Sequence, residues 1–107
     1  MPANPKKTVE QYLKTQLSVQ DDEIIREIYQ EFLTVFSRNL SSAGKALAEG
    51  DYTRLGVIAH TLKGDVAIIG LQDLKSLVMS LQEHCRTGDA ENCRLLLKQL
   101  TDYFARC

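Results

Sequence analysis

The chain has 107 residues, 44% hydrophobic and 25% charged, with 13 basic against 14 acidic residues and a net charge of −1. Such a balance suits one ordinary globular domain and excludes a chain disordered by composition. It also holds no basic cluster, which excludes nucleic acid and anionic membrane surfaces as partners.

No apolar stretch approaches the roughly 20 residues that a membrane span needs. The start, Met1 to Lys7, is polar and lacks the apolar segment of a signal peptide. A cytoplasmic location is the resulting expectation. Three cysteines, Cys85, Cys93 and Cys107, fit it, being an odd number without a paired framework.

Both prolines fall within the first five residues, so nothing downstream interrupts a helix. A short leading helix is predicted over about 6–17, on Val9, Leu13 and Leu17. The first long helix starts after Ser18 or Asp21, either of which can cap it, and runs to about Glu49. Its apolar residues Ile25, Tyr29, Phe32, Phe36, Leu40, Ala43 and Leu47 recur every three or four positions. A second helix spans Asp51 to about Ile69, with Leu55, Ile58, Ala59, Leu62, Val66 and Ile69 inward.

A third helix spans about Leu71 to Thr87, burying Leu74, Leu77, Val78, Leu81 and Cys85. The fourth runs from Asp89 towards the end, burying Cys93, Leu96, Leu97, Leu100, Tyr103 and Phe104. Gly50, Gly70 and Gly88 lie where the apolar phase changes and read as helix stops. Asp51 and Asp89 follow two of them at once, as N-caps. Four amphipathic helices joined by such short turns predict an all-α, antiparallel up-down-up-down four-helix bundle with a short extra N-terminal helix. One domain covers 1–107, residues 1–20 leading in and 21–107 forming the bundle, and monomer is the simplest expectation.

The second helix carries more than a core. At about 100° per residue, its apolar stripe centres on Leu62 and Val66, and His60 falls on the far side. Along the same outer line lie Gly56, Gly64 and Ala67, flanked by Thr53 and Lys63. Two glycines on an open helical face cost roughly 1 kcal/mol each against alanine. What they offer is clearance, so that His60 stands free and another protein's backbone can come close. Val57 and Ile68 are apolar and turned outward from the stripe. They lie either half-buried at a helix–helix boundary or on a surface that docks a partner, the second reading being stronger for Ile68.

A neutral, exposed imidazole is a competent nucleophile near neutral pH. Lys63, one turn on, can reach phosphoryl oxygens as a point charge. No serine or cysteine is placed for His60 to activate, and no carboxylate shares its face. A nucleophile without acid–base apparatus suits a group carrier better than a complete enzyme.

The stretch from Ala59 to Leu71, AHTLKGDVAIIGL, resembles the signature of the histidine-containing phosphotransfer (HPt) domain family through Ala59, His60, Leu62, Lys63, Gly64, Ala67 and Gly70. The resemblance covers the whole chain in kind, since members are four-helix bundles with the histidine midway along the second bundle helix. It implies that His60 accepts a phosphoryl group on Nε2 from a receiver-domain phospho-aspartate, or returns it. It implies that Lys63 stabilises the phosphohistidine and that Gly64 gives the receiver room. No cofactor is then expected on this chain, Mg²⁺ belonging to the receiver, and the partner is a response-regulator receiver or a hybrid histidine kinase. Two positions depart from the pattern: Asp65 stands where serine is common, and Ile68 where a polar residue is frequent. Both bear on which receiver is served.

Self-phosphorylation is not expected, since Thr61 follows the histidine where histidine kinases place an acidic residue, and no proline follows Pro5. A 107-residue chain also lacks a nucleotide-binding domain. His84, Cys85 and Cys93 match no usual zinc spacing, so no metal is expected. The alternative is a helical interaction module without phosphoryl chemistry, its glycine-lined face a partner groove. A fragment of a larger sensor kinase is a weaker third reading, and the start at Met1 favours a free-standing chain.

Overall fold

A computed structural model of the chain describes residues 5–105, and these form five helices with no strand among them. They are α1 (Pro5–Gln16), α2 (Asp22–Ala48), α3 (Tyr52–Ile68), α4 (Gln72–Arg86) and α5 (Ala90–Ala105). No helix among the described residues is long and apolar enough to cross a membrane. Cys107, the last of the three cysteines, lies outside the described residues.

The starts of α2, α3 and α5 follow the capping chemistry of aspartates, whereas α4 opens at Leu71 without a side-chain cap. Asp21, rather than Ser18, caps α2, accepting from the backbone amides of Glu23 at 2.9 Å and Ile24 at 3.3 Å. Asp51 accepts from the Arg54 amide at 3.0 Å, and Asp89 from the Asn92 amide at 3.1 Å. Each satisfies a donor that a helix N-terminus leaves without an intrahelical partner.

Helices α2, α3 and α4 all end on one device. Gly50, Gly70 and Gly88 have φ of +68°, +80° and +71°, the left-handed conformation that glycine adopts without steric cost. Their amides turn back to the carbonyls of Leu47, Ala67 and Cys85, while the next residue's amide reaches Ala46, Val66 and His84. This is the Schellman closure. The residue that completes it, Asp51, Leu71 or Asp89, then opens the following helix, so each connection is only a few residues long.

Such tight connections force sequential helices to pack on one another. α2 lies against α3 and α5, α4 against α3 and α5, and α1 against α2. Phe36, Leu55, Leu62, Val66, Leu74, Leu81 and Leu100 are fully buried between them. Phe32, Phe36 and Phe104 form an aromatic cluster with centroids 5.2–5.9 Å apart. Cys85 and Cys93 are buried as expected. Leu17 is not: it lies beyond the end of α1 and is exposed, while Val9 and Leu13 are buried. Phe32, Leu40, Leu47, Ile58, Leu77, Leu96, Tyr103 and Phe104 pack at the core's edge, partly buried.

Candidate functional site

Helix α3 departs from its neighbours in spreading apolar residues around its circumference. Leu55, Ala59, Leu62 and Val66 face the core, yet Val57 and Ile68 are 64% and 73% exposed. Of the two readings open for these residues, the half-buried boundary does not hold; both stand in solvent.

His60 is exposed midway along α3 and has no hydrogen-bond or ion-pair partner among the described residues. Gly64, one turn on, is also exposed, and a β-carbon placed there would meet nothing within 4 Å. Thr53 is exposed on the same side, and Ala67 and Lys63 are half-buried. Lys63 makes no ion pair among the described residues, so its ammonium is not committed to a carboxylate.

Gly56 differs from the expected open position. It is half-buried at the seam with α4, where an added β-carbon would lie 3.5 Å from Cys85 Sγ. That is an ordinary van der Waals contact, so the seam leaves room for a β-carbon, and Gly56 lines the same open groove as His60. The Cys85 thiol donates to the Tyr52 carbonyl at 2.9 Å, and burial pushes its pKa up. It is a packed thiol, not a reactive one.

Asp65 points to α2, as its angular position requires. It is half-buried and accepts from Asn39 Nδ2 at 3.3 Å. Burial raises its carboxyl above the usual range, against the opposing effect of the Asn39 hydrogen bond. It does not orient the His60 ring. Ile68 and Asp65 both line a groove of about 370 Å³ towards α1 and α2, alongside Leu17, Ile28, Phe32 and Glu31.

His60 itself lines a larger open groove of about 800 Å³ between α3 and α4. Its α4 wall comprises Met79, Gln82, Glu83 and Arg86; Met79 is 51% exposed. None of these was singled out from the sequence, though a signal existed. A tight stop at Gly70 lays α4 back along α3, which brings residues near 80 level with His60. Arg86 grips Glu83 through Nε to Oε2 at 3.2 Å and through Nη2 to Oε1, and this holds the Glu83 carboxyl below its usual range.

The second histidine is differently placed. His84, half-buried in the last turn of α4, has Nδ1 3.4 Å from Asp89 Oδ2 across the turn to α5. No group of three or more His, Cys, Asp or Glu that could hold a metal occurs among the described residues.

Two comparisons bear on this arrangement. A family model described as "Hpt domain" matches residues 27–106, which takes in α3 and the whole groove that holds His60 but leaves out α1 and the start of α2. A curated relative, histidine-containing phosphotransfer protein 2 of Arabidopsis thaliana, is 27% identical over 88 residues, covering 77% of this chain and 56% of that protein. The chain thus spans little more than half the length of that relative.

Proposed function

This chain belongs to the Hpt domain family, and from that premise we propose that it is a phosphocarrier of a two-component phosphorelay. His60 takes a phosphoryl group from the phospho-aspartate of a receiver domain and passes it on. The observation that carries this reading is the isolation of the imidazole: exposed, in an open groove, and without a side-chain partner among the described residues. A histidine acting as a general base within a complete active site is oriented by a neighbour. This one has none among the described residues and suits a group carrier.

In the transfer, the Nε2 lone pair of His60 attacks phosphorus nearly in line with the departing oxygen. The new P–N bond forms as the P–O bond to the aspartate breaks, and the aspartate leaves as a carboxylate. Lys63 offers its ammonium to the phosphoryl oxygens. Mg²⁺ belongs to the receiver, so this chain is a substrate of the partner's catalysis rather than an enzyme. Gly64 admits the partner's backbone, and Val57, Ala67 and Ile68 give it apolar contact, with Gly56 lining the groove beside His60. The partner is a response-regulator receiver, free or within a hybrid histidine kinase.

The finer architecture belongs to the same reading. Helices α2 to α5, each packed on two others of the set in a closed ring and joined by short Schellman turns, fit an antiparallel up-down-up-down bundle to which α1 is an addition. A cytoplasmic monomer accompanies it.

Exposed Val57, Ile68 and Met79 also suit a plain interaction module, so the deciding test is chemical. Incubation with a phosphorylated receiver is expected to leave acid-labile, base-stable label on the chain. No label from any cognate receiver leaves the interaction module standing. Lys63→Ala is expected to slow transfer or shorten the phosphohistidine lifetime with Tm unchanged; an unaltered rate and lifetime remove Lys63 from the mechanism.

A further inference from the structure

The smaller groove, about 370 Å³ between α1, α2 and the end of α3, is walled by apolar residues that include Leu17, Ile28, Phe32 and Ile68. Two carboxylates also line it, those of Glu31 and Asp65. We infer that this groove seats an apolar side chain of the docked receiver together with a neighbouring lysine or arginine, and that Asp65 and Glu31 select receivers bearing that cation. The inference rests on the phosphocarrier reading of His60 and specifies the chemistry of its partner.

Three observations carry it. The first is continuity with the phosphoryl site. At about 100° per residue, Gly64 stands about 40° around α3 from His60, Ile68 about 80° and Asp65 about 140°. A receiver whose backbone covers His60 and Gly64 therefore continues onto exposed Ile68 and into the groove that Ile68 and Asp65 share.

The second is charge without a counter-ion. Among the described residues, neither Glu31 nor Asp65 forms an ion pair and no cation lines the groove. Lys14, next to Leu13 on α1, is already held by Glu10 at 3.4 Å and Asp22 at 3.2 Å. Asp65 has the neutral Asn39 amide at 3.3 Å. Glu31 lies eight residues before Asn39 on α2, about 12 Å along the axis, so a carboxylate marks each end of the groove.

The third is what covering the groove costs. Asp65 is half-buried, and burial already pushes its carboxyl up. A wholly apolar partner would strip the remaining water from a carboxylate that has no cation, which is unfavourable. A partner that brings an ammonium or guanidinium offsets that loss, and one that brings a carboxylate is repelled. A serine at this position, as is common in the family, makes no such demand, so the preference is particular to this chain.

The test is calorimetric titration of the full chain with a receiver domain that labels it. Asp65→Asn, which keeps an acceptor for Asn39, is expected to weaken binding about fivefold, the scale of one partly exposed ion pair. Asp65→Lys should weaken it further, and both losses should shrink at about 1 M salt, where screening acts within about 3 Å. One Lys→Glu or Arg→Glu variant of the receiver should bind the unaltered chain weakly and regain affinity for Asp65→Lys. Binding that is unchanged or tighter in Asp65→Asn, a loss indifferent to salt, or no receiver variant rescued by Asp65→Lys overturns the inference. Each of these leaves the carrier reading intact, since label still reaches His60. Absence of label on the unaltered chain from any cognate receiver removes both.

Discussion

At Gly64 stability and recognition pull in opposite directions. It is a helical glycine on an open face, with no atom within 4 Å of where its β-carbon would be. Gly64→Ala should therefore stabilise the fold by about 1 kcal/mol, raising Tm by about 4–8 °C for a domain of this size. Gly64→Gln should keep most of that gain yet slow phosphoryl transfer at least tenfold, because its side chain fills the space a partner's backbone needs. Thermal melts and single-turnover transfer check both halves, and a Gln variant that transfers normally shows that the face need not be clear. The outward placing of Gly64 and His60 was legible in the sequence, since helical periodicity alone assigns it. The environment of Gly56 was not. Its angle differs little from theirs, and what decides it is Cys85 on another helix, which periodicity does not see. Gln82, Glu83 and Arg86 escaped for the same reason.

Among the elements, the three glycine stops were readable because a Schellman closure is local and demands a left-handed residue. What α1 does was not readable, because its contacts are distant in sequence. A β-carbon on Gly70 would lie 2.3 Å from Tyr12 Cγ and 2.5 Å from Cδ1. The Tyr12 ring is thus pressed on the α3–α4 turn and helps to fasten α1 to the rest of the fold. Gly70→Ala combines this overlap with a left-handed φ of +80°, and should cost about 2–4 kcal/mol. Because the overlap is with α1, the loss should show first as faster proteolysis within residues 5–20, ahead of global unfolding. A variant with unchanged Tm and unchanged proteolysis contradicts the fastening. The Leu13 and Leu17 side of the smaller groove depends on the same contact, so Ile68 would lose one wall of its setting.

For the molecule as a whole, pH dependence separates carboxylates of opposite sign. Burial raises the folded pKa of Asp65, so between its ordinary and raised values the native state binds more protons than the unfolded chain. Stability from this group therefore falls as pH rises through that interval and returns on acidification. Glu83 and Asp89, held below their usual range by Arg86 and Asn92, behave in reverse and lose stability as pH falls. Asp65→Asn, which keeps an acceptor for Asn39, should raise Tm at neutral pH, with the difference vanishing below the ordinary carboxylate range. A difference independent of pH contradicts this account of Asp65. The whole-molecule claim is that the chain is a carrier with a single phosphoryl-accepting histidine, and having two histidines, His60 and His84, it permits a direct test. After incubation with a phosphorylated receiver, the ³¹P phosphoramidate resonance is measured in His60→Gln and His84→Gln. The account predicts a resonance that persists in His84→Gln and is absent from His60→Gln; a resonance retained in His60→Gln contradicts it.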